Sequence, residues 1–237
     1  MQSKPPNVKP SIGEKVNDFV QKNRKPIFIS AAAIALLLII SIAALALMDR
    51  SRNRAIGLVE DFHSRHEALR PIIHEDFASG DVAELIADIE PFARRTSGYA
   101  GAKAWSIIAS IHSERNEWPE AETAWANAAA KSARFYLAPV AWFNAAVAAE
   151  EQGKTEQAIE YYTRSLSTQI GFPSAARAQF SIGRLRETLN ERDEAMAAYR
   201  AVISGWPHDT VWLNLARSRI IALHLPQEEQ EEQELGY

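Results

Sequence analysis

Apolar positions fall into three regimes along this chain of 237 residues. Residues 27–48, IFISAAAIALLLIISIAALALM, run through twenty-two positions without a charge. As a helix, that run covers the thickness of a bilayer core, about 30 Å. A soluble core helix carries a polar stripe on one face, and this stretch has none. Ahead of it, Ile12, Val16, Phe19 and Val20 recur at helical spacing behind Ser11-x-x-Glu14, a capping box. With its lysines, that stretch predicts a helix lying along the inner leaflet; a solvated basic tail is the alternative. Lys4-Pro5-Pro6 to Pro10 reads as a disordered tip. Beyond the span the spacing stays helical. Residues 50–70 predict a stalk helix with Ile56, Val59, Phe62 and Leu69. Residues 81–94, opening at Gly80-Asp81, predict the second helix of a degenerate first unit.

The third regime repeats itself. Ala121, Ala158 and Ala195 are thirty-seven residues apart, and four residues after each comes an aromatic: Trp125, Tyr162 and Tyr199. Five before each is a turn residue (Asn116, Gly153, Asn190), and twelve before is a small one (Ala109, Ala146, Gly183). Trp105 and Trp142 match as well, whereas the third copy has Gln179 with Phe180 beside it. Each unit therefore predicts a helix, a tight turn and a second helix. The small residues let the paired helices approach, and the aromatics fill the space between neighbouring units, burying about 150–250 Å² each. Pro139, Pro173 and Pro207 punctuate the junctions, where a helix must stop. No unit buries its apolar face alone, so stacking supplies the core.

Trp142, Ala146, Gly153, Ala158 and Tyr162, followed by Ile182, Gly183, Asn190, Ala195, Tyr199 and Pro207, resemble the tetratricopeptide repeat. That family's period is about 34 residues, so each unit here has a longer second helix or loop. The expected fold is all-α: a single N-terminal transmembrane helix, then a tetratricopeptide-like helical-repeat solenoid. Its divisions are a tail at 1–26, a span at 27–48, a stalk and degenerate first repeat at 49–97, repeats with a capping helix at 98–225, and an acidic disordered tail at 226–237. The capping helix uses Asp209, Thr210, Trp212, Leu215, Ala216, Ile220, Ile221 and Leu223, and Pro226 stops it.

Charge adds an orientation. Residues 1–48 hold six Lys/Arg against two acids, which leaves twenty against twenty-eight for the rest. Lys15, Lys22, Arg24 and Lys25 precede the span, with Lys4 and Lys9 further out, and outweigh Arg50, Arg52 and Arg54 after it. This places the N-terminus in the cytoplasm and the repeats outside the inner membrane. The rival is a cleaved signal peptide with Ala44-Leu45-Ala46 as its site, but the apolar run exceeds a signal core of about 7–15 residues. A net charge of −4 gives no footprint for nucleic acid. Zero cysteines remove disulfides, thiolate metal sites and a Cys nucleophile. No G-x-S-x-G, P-loop, G-x-G-x-x-G or H-E-x-x-H is present, so neither an enzyme nor a cofactor is expected. His63 and His66 near Glu60, and His74 beside Glu75 and Asp76, offer metal-ligand chemistry, but they read as solvated helix faces and no metal is expected.

A cytoplasmic tail, one span, a stalk and an extracytoplasmic repeat array, with Val16-x-x-Phe19-Val20-x-x-Asn23-Arg24-Lys25 before the span and the stretch from Tyr99 through Ala109, Asn116 and Ala121 to Ala128, resemble the ancillary subunit of the Sec translocon. The resemblance implies protein partners: translocon subunits, periplasmic chaperones or exported chains. The alternatives are a scaffold in another envelope complex (outer-membrane assembly, division or cytochrome maturation) and a hydrolase behind a repeat adaptor. In tetratricopeptide stacks the first helices line the concave face. Transferred by phase, this gives a partner groove of Lys103, Ser106 and Ser110, then Phe143, Val147 and Glu150, then Arg177, Phe180 and Arg184. Phe143 and Phe180 lie one residue past the Trp slot, about 100° around the helix. They are therefore expected to face the groove as anchors for an extended apolar or acidic segment, a hydrophobic groove instead of a charge clamp. The other reading is that both rings extend the core.

Overall fold

A computed structural model describes residues 11–75, 78–132, 136–168 and 171–224. The proline-rich tip and the Gln-Glu-Glu tail lie outside them. The chain divides into two compact units, Met1–Arg54 and Ala55–Tyr237.

The first unit holds α1 (Ile12–Lys22) and most of α2 (Arg24–Leu69). On α1 the stripe of Ile12, Val16, Phe19 and Val20 is exposed. The span and the stalk are one helix of 46 residues. The sequence contains Pro26 only in the first turn, where its missing N–H costs nothing, and no later breaker beyond a tolerated Gly57. Among the described residues, this is the helix long and apolar enough to cross a membrane. Its most apolar window has mean hydropathy 2.8, and none of it is buried.

In the second unit the last turns of α2 bury Val59 and Phe62, and the Phe62 ring meets Phe92 of α3 (Ser79–Arg95) edge-on at 5.6 Å. Three helix pairs follow: α4 (Gly98–Glu114) with α5 (Trp118–Lys131), α6 (Leu137–Glu151) with α7 (Thr155–Ser167), and α8 (Ala175–Thr188) with α9 (Arg192–Gly205). α10 (Thr210–His224) closes the array. The described residues contain no strand.

The turn inside each pair sits at the position the repeat marks. Asn116, Gly153 and Asn190 adopt φ of 59°, 71° and 60°. This left-handed conformation is free for glycine and tolerated by asparagine, which is why those two types alternate there. The small position is steric. A Cβ on Gly183 would stand 2.6 Å from the Tyr199 ring, while Ala109 and Ala146 are wholly buried at the same phase. Pro139 falls in the first turn of α6, where proline starts a helix well.

The core is three successive clusters, around α2 to α6, α6 to α8, and α9 with α10. Each helix pair leans on its neighbours, as expected for a quasi-linear stack.

Candidate functional site

The first helices of the pairs, α4, α6 and α8, carry the predicted groove residues. The structure separates them into three groups. Lys103, Ser110 and Val147 are half-buried, and Arg177 and Arg184 are exposed. Ser106 is buried and its hydroxyl donates to the Ala102 carbonyl at 2.9 Å, so it is not available to a partner.

The third group corrects the expectation that the rings face solvent. Phe143 is only 6% exposed and packs edge-on against Tyr162 at 5.4 Å and Phe172 at 6.0 Å. Phe180 is half-buried between Tyr199, 5.2 Å away, and Trp212, 5.3 Å away. In a stack, a first helix has its own partner on one side and the next pair on another. Turning about 100° from the Trp slot therefore places the ring between its own partner helix, which supplies Tyr162 or Tyr199, and the next element, which supplies Phe172 or Trp212, not in water. Both rings extend the core. What the face shows above Phe143 is a guanidinium, with Arg177 lying 5.3 Å over the ring.

Polar groups lock the pairs in phase. The Trp125 Nε1 donates to Ser113 Oγ at 3.1 Å, the Tyr162 hydroxyl donates to Glu150 at 3.3 Å, and the Tyr199 hydroxyl donates to Glu187. The acceptors 113, 150 and 187 keep the thirty-seven-residue spacing. Each glutamate is then reached from the next helix onward: Arg184 donates to Glu150 and Arg219 to Glu187. Glu150 and Arg184, two of the expected groove residues, thus bind each other. Burial first, then the facing Glu150 carboxylate, push the Tyr162 phenol far above its ordinary range; burial and the bond to Glu187 do the same to Tyr199. Sequence reasoning missed this ladder. Its signal was an acceptor twelve residues before each aromatic.

A second polar knot was also unforeseen. Buried Glu122 accepts from Lys154 at 2.7 Å, Gln152 at 2.9 Å and Tyr161 at 3.3 Å, tying α5 to the next pair. Tyr161 also stacks on Trp142 at 5.5 Å, and Arg164 lies 4.9 Å over that indole.

Of the histidines, His63, His66 and Glu67 bring possible ligand atoms within 4.8 Å of one another. His66 is not on a solvated face: it is buried, with Nε2 3.0 Å from Glu114. Arg70 also binds Glu114, at 2.8 Å, and approaches Glu67 at 3.6 Å. The cluster is a His–Glu–Arg network, buried at His66 and exposed at Arg70, that joins the end of α2 to α4. His74 is exposed, and its neighbour Asp76 lies outside the described residues.

Residues 108–171 and 143–210 match the tetratricopeptide repeat family. A "TPR repeat-containing protein" of Treponema pallidum (strain Nichols) is 34% identical over 224 residues, covering 88% of this chain and 93% of the relative. The chain belongs to the tetratricopeptide repeat family. Proteins of this family are in general scaffolds without catalytic function, so the stack reads as a protein–protein interaction module. An alignment covering 88% of the chain takes in more than the repeat unit alone, so it reaches into the apolar part of α2.

Proposed function

We propose that this tetratricopeptide protein is anchored in the inner membrane by residues 27–48, N-terminus in the cytoplasm, and presents its repeats outside the cytoplasm as an accessory of the Sec translocon. There it links translocon subunits to periplasmic chaperones or exported chains. The observation that carries the reading is the apolar helix itself: it is long enough to cross a membrane, and its most apolar window, of mean hydropathy 2.8, is not buried. Helices of that hydropathy are unstable in water unless covered by protein or lipid. The aligned region of the relative includes this stretch, which supports treating it as part of the protein's working architecture.

The partner face is the surface of α4, α6 and α8 around Lys103, Ser110, Val147, Arg177 and Arg184. With Phe143 covered and Arg184 bound to Glu150, it offers Lys103 and Arg177 beside half-buried apolar groups, which suits an extended segment with acidic side chains. The test is photocrosslinking of the full chain in native membranes from positions 103, 110 and 177, followed by identification of the captured proteins. Translocon subunits and periplasmic chaperones are expected. Capture of outer-membrane assembly, division or cytochrome-maturation components in their place would assign the scaffold to another envelope complex.

A further inference from the structure

Trp105 and Trp142 occupy the same position in the first two helix pairs, in different company. The Trp142 indole is stacked by Tyr161 at 5.5 Å and carries Arg164 4.9 Å above it. Thirty-seven residues earlier, the counterparts of Tyr161 and Arg164 are Ala124 and Asn127. A methyl and a carboxamide stand where the second pair has a phenol and a guanidinium. Both line a cleft of about 350 Å³ among α3, α4 and α5, whose apolar walls are Ile86, Trp105 and Ile108. Trp105 is 6% exposed, and its Nε1–H is buried without an acceptor, alone in this among the described residues. A buried donor left unpaired forfeits the bond it had with water, so it marks a place where a partner is missing. The third pair has no such gap: Gln179 takes the Trp position and donates to the Ala198 carbonyl at 3.3 Å.

We infer that this cleft seats an aromatic side chain of a partner peptide segment, in the place that Tyr161 fills one pair later, with a backbone carbonyl of that segment accepting from Trp105 Nε1. Its volume lies at the low end for ligand sites, about 300–1,000 Å³, which suits one ring-bearing side chain and not a whole cofactor. Charge narrows the partner further. Arg94 binds Glu90 at 3.0 Å, and His112 is 2.6 Å from Glu117. Glu120, also on the cleft, is exposed and enters no ion pair among the described residues. The open charge at the rim is therefore negative, which favours a basic residue next to the ring. Trp105, Ile108 and His112 lie on the side of α4 opposite Lys103, Ser106 and Ser110, at about 100° per residue. The cleft is thus a second surface with the opposite charge preference, and it does not rest on the translocon reading.

The probe is the blocked dipeptide acetyl-tyrosyl-lysine amide, titrated into isotope-labelled full-length protein in nanodiscs. The reporter is the Trp105 indole N–H resonance, identified by its loss in Trp105→Phe. It should move downfield and saturate at an affinity on the order of 1 mM, as for one ring and one hydrogen bond. The leucyl-lysine and tyrosyl-glutamate analogues should bind at least about threefold more weakly, since an aromatic contact and a rim charge each add to the fit. Ala124→Tyr supplies in cis the ring that the second pair has. Asn127→Arg, at a half-buried position, supplies the guanidinium without altering the core. Both should abolish the shift with helix content unchanged. No shift of the Trp105 resonance, an equal or stronger response to either analogue, or a shift that survives Asn127→Arg in the folded chain would overturn the inference.

Discussion

Tyr162 and Tyr199 each do two jobs with one ring. The ring fills the gap left by a small residue on the paired helix, Ala146 or Gly183, and the hydroxyl donates to a glutamate that the following helix also binds. Tyr162→Ala should therefore cost about 3–5 kcal/mol, whereas Tyr162→Phe, which leaves Glu150 to Arg184, should cost about 1 kcal/mol. Chemical denaturation of both variants checks this; equal losses would mean the ring is not a wedge between pairs. The same geometry gives a pH dependence. Burial and the facing carboxylates favour the neutral phenol in the folded state. Stability from these tyrosines is thus intact below the ordinary tyrosine pKa near 10 and is lost as pH rises above it. Absorbance titration near 295 nm should show both phenols ionising only together with loss of helicity. Aromatic, small and turn positions were legible in the sequence because packing and backbone geometry admit few residue types. Glu150, Glu187 and Arg219 were not, because a surface-type residue acquires its partner only when helices thirty or more positions apart meet.

At the scale of the helix pair, the misplaced element is the first-helix face. Periodicity correctly says that Phe143 lies about 100° from Trp142, but it does not say what stands in that direction. In the stack that direction lies between its own partner helix and the segment leading into the next pair, and Phe143 accordingly meets both Tyr162 of α7 and Phe172 ahead of α8. The double change Phe143→Ala with Phe180→Ala is consequently expected to lower stability by more than about 3 kcal/mol and the melting temperature by on the order of 10 °C. Thermal melts followed by circular dichroism test it; an unchanged melt with lost partner capture would restore the rings to a binding role. The stalk read over residues 50–70 is the C-terminal part of α2. The charges from Asp49 to Arg54 do not mark a helix end.

Across the whole molecule, stability should be graded along the array. The cluster around α2 to α6 holds most of the buried side chains, while the last cluster has Ala195, Tyr199, Val202 and Ala216, and α10 buries Ala216 alone. Amide exchange is expected to be fastest in α10 and slowest in α4 and α5; uniform protection would mean that the array opens as one unit. The N-terminal unit obeys a different solvent. Twenty-two uncharged residues sit in the N-terminal half of a helix whose most apolar window is not buried, and under the proposed anchoring lipid would remove that apolar surface from water. The Ala44-Leu45-Ala46 sequence lies inside that helix, about twenty residues from its start, and the apolar run around it is longer than a signal core. The full-length chain should therefore stay in the membrane pellet after alkaline carbonate extraction, with its N-terminal residues still attached. Leu37→Arg with Leu38→Arg places two charges near the middle of the run, each costing about 2.5–3.5 kcal/mol at a bilayer centre. That variant should move to the soluble fraction while its repeat unit keeps the wild-type melting profile, because residues 37 and 38 belong to the other unit. A mature protein beginning at Leu47 would show instead that the apolar run is a cleaved signal.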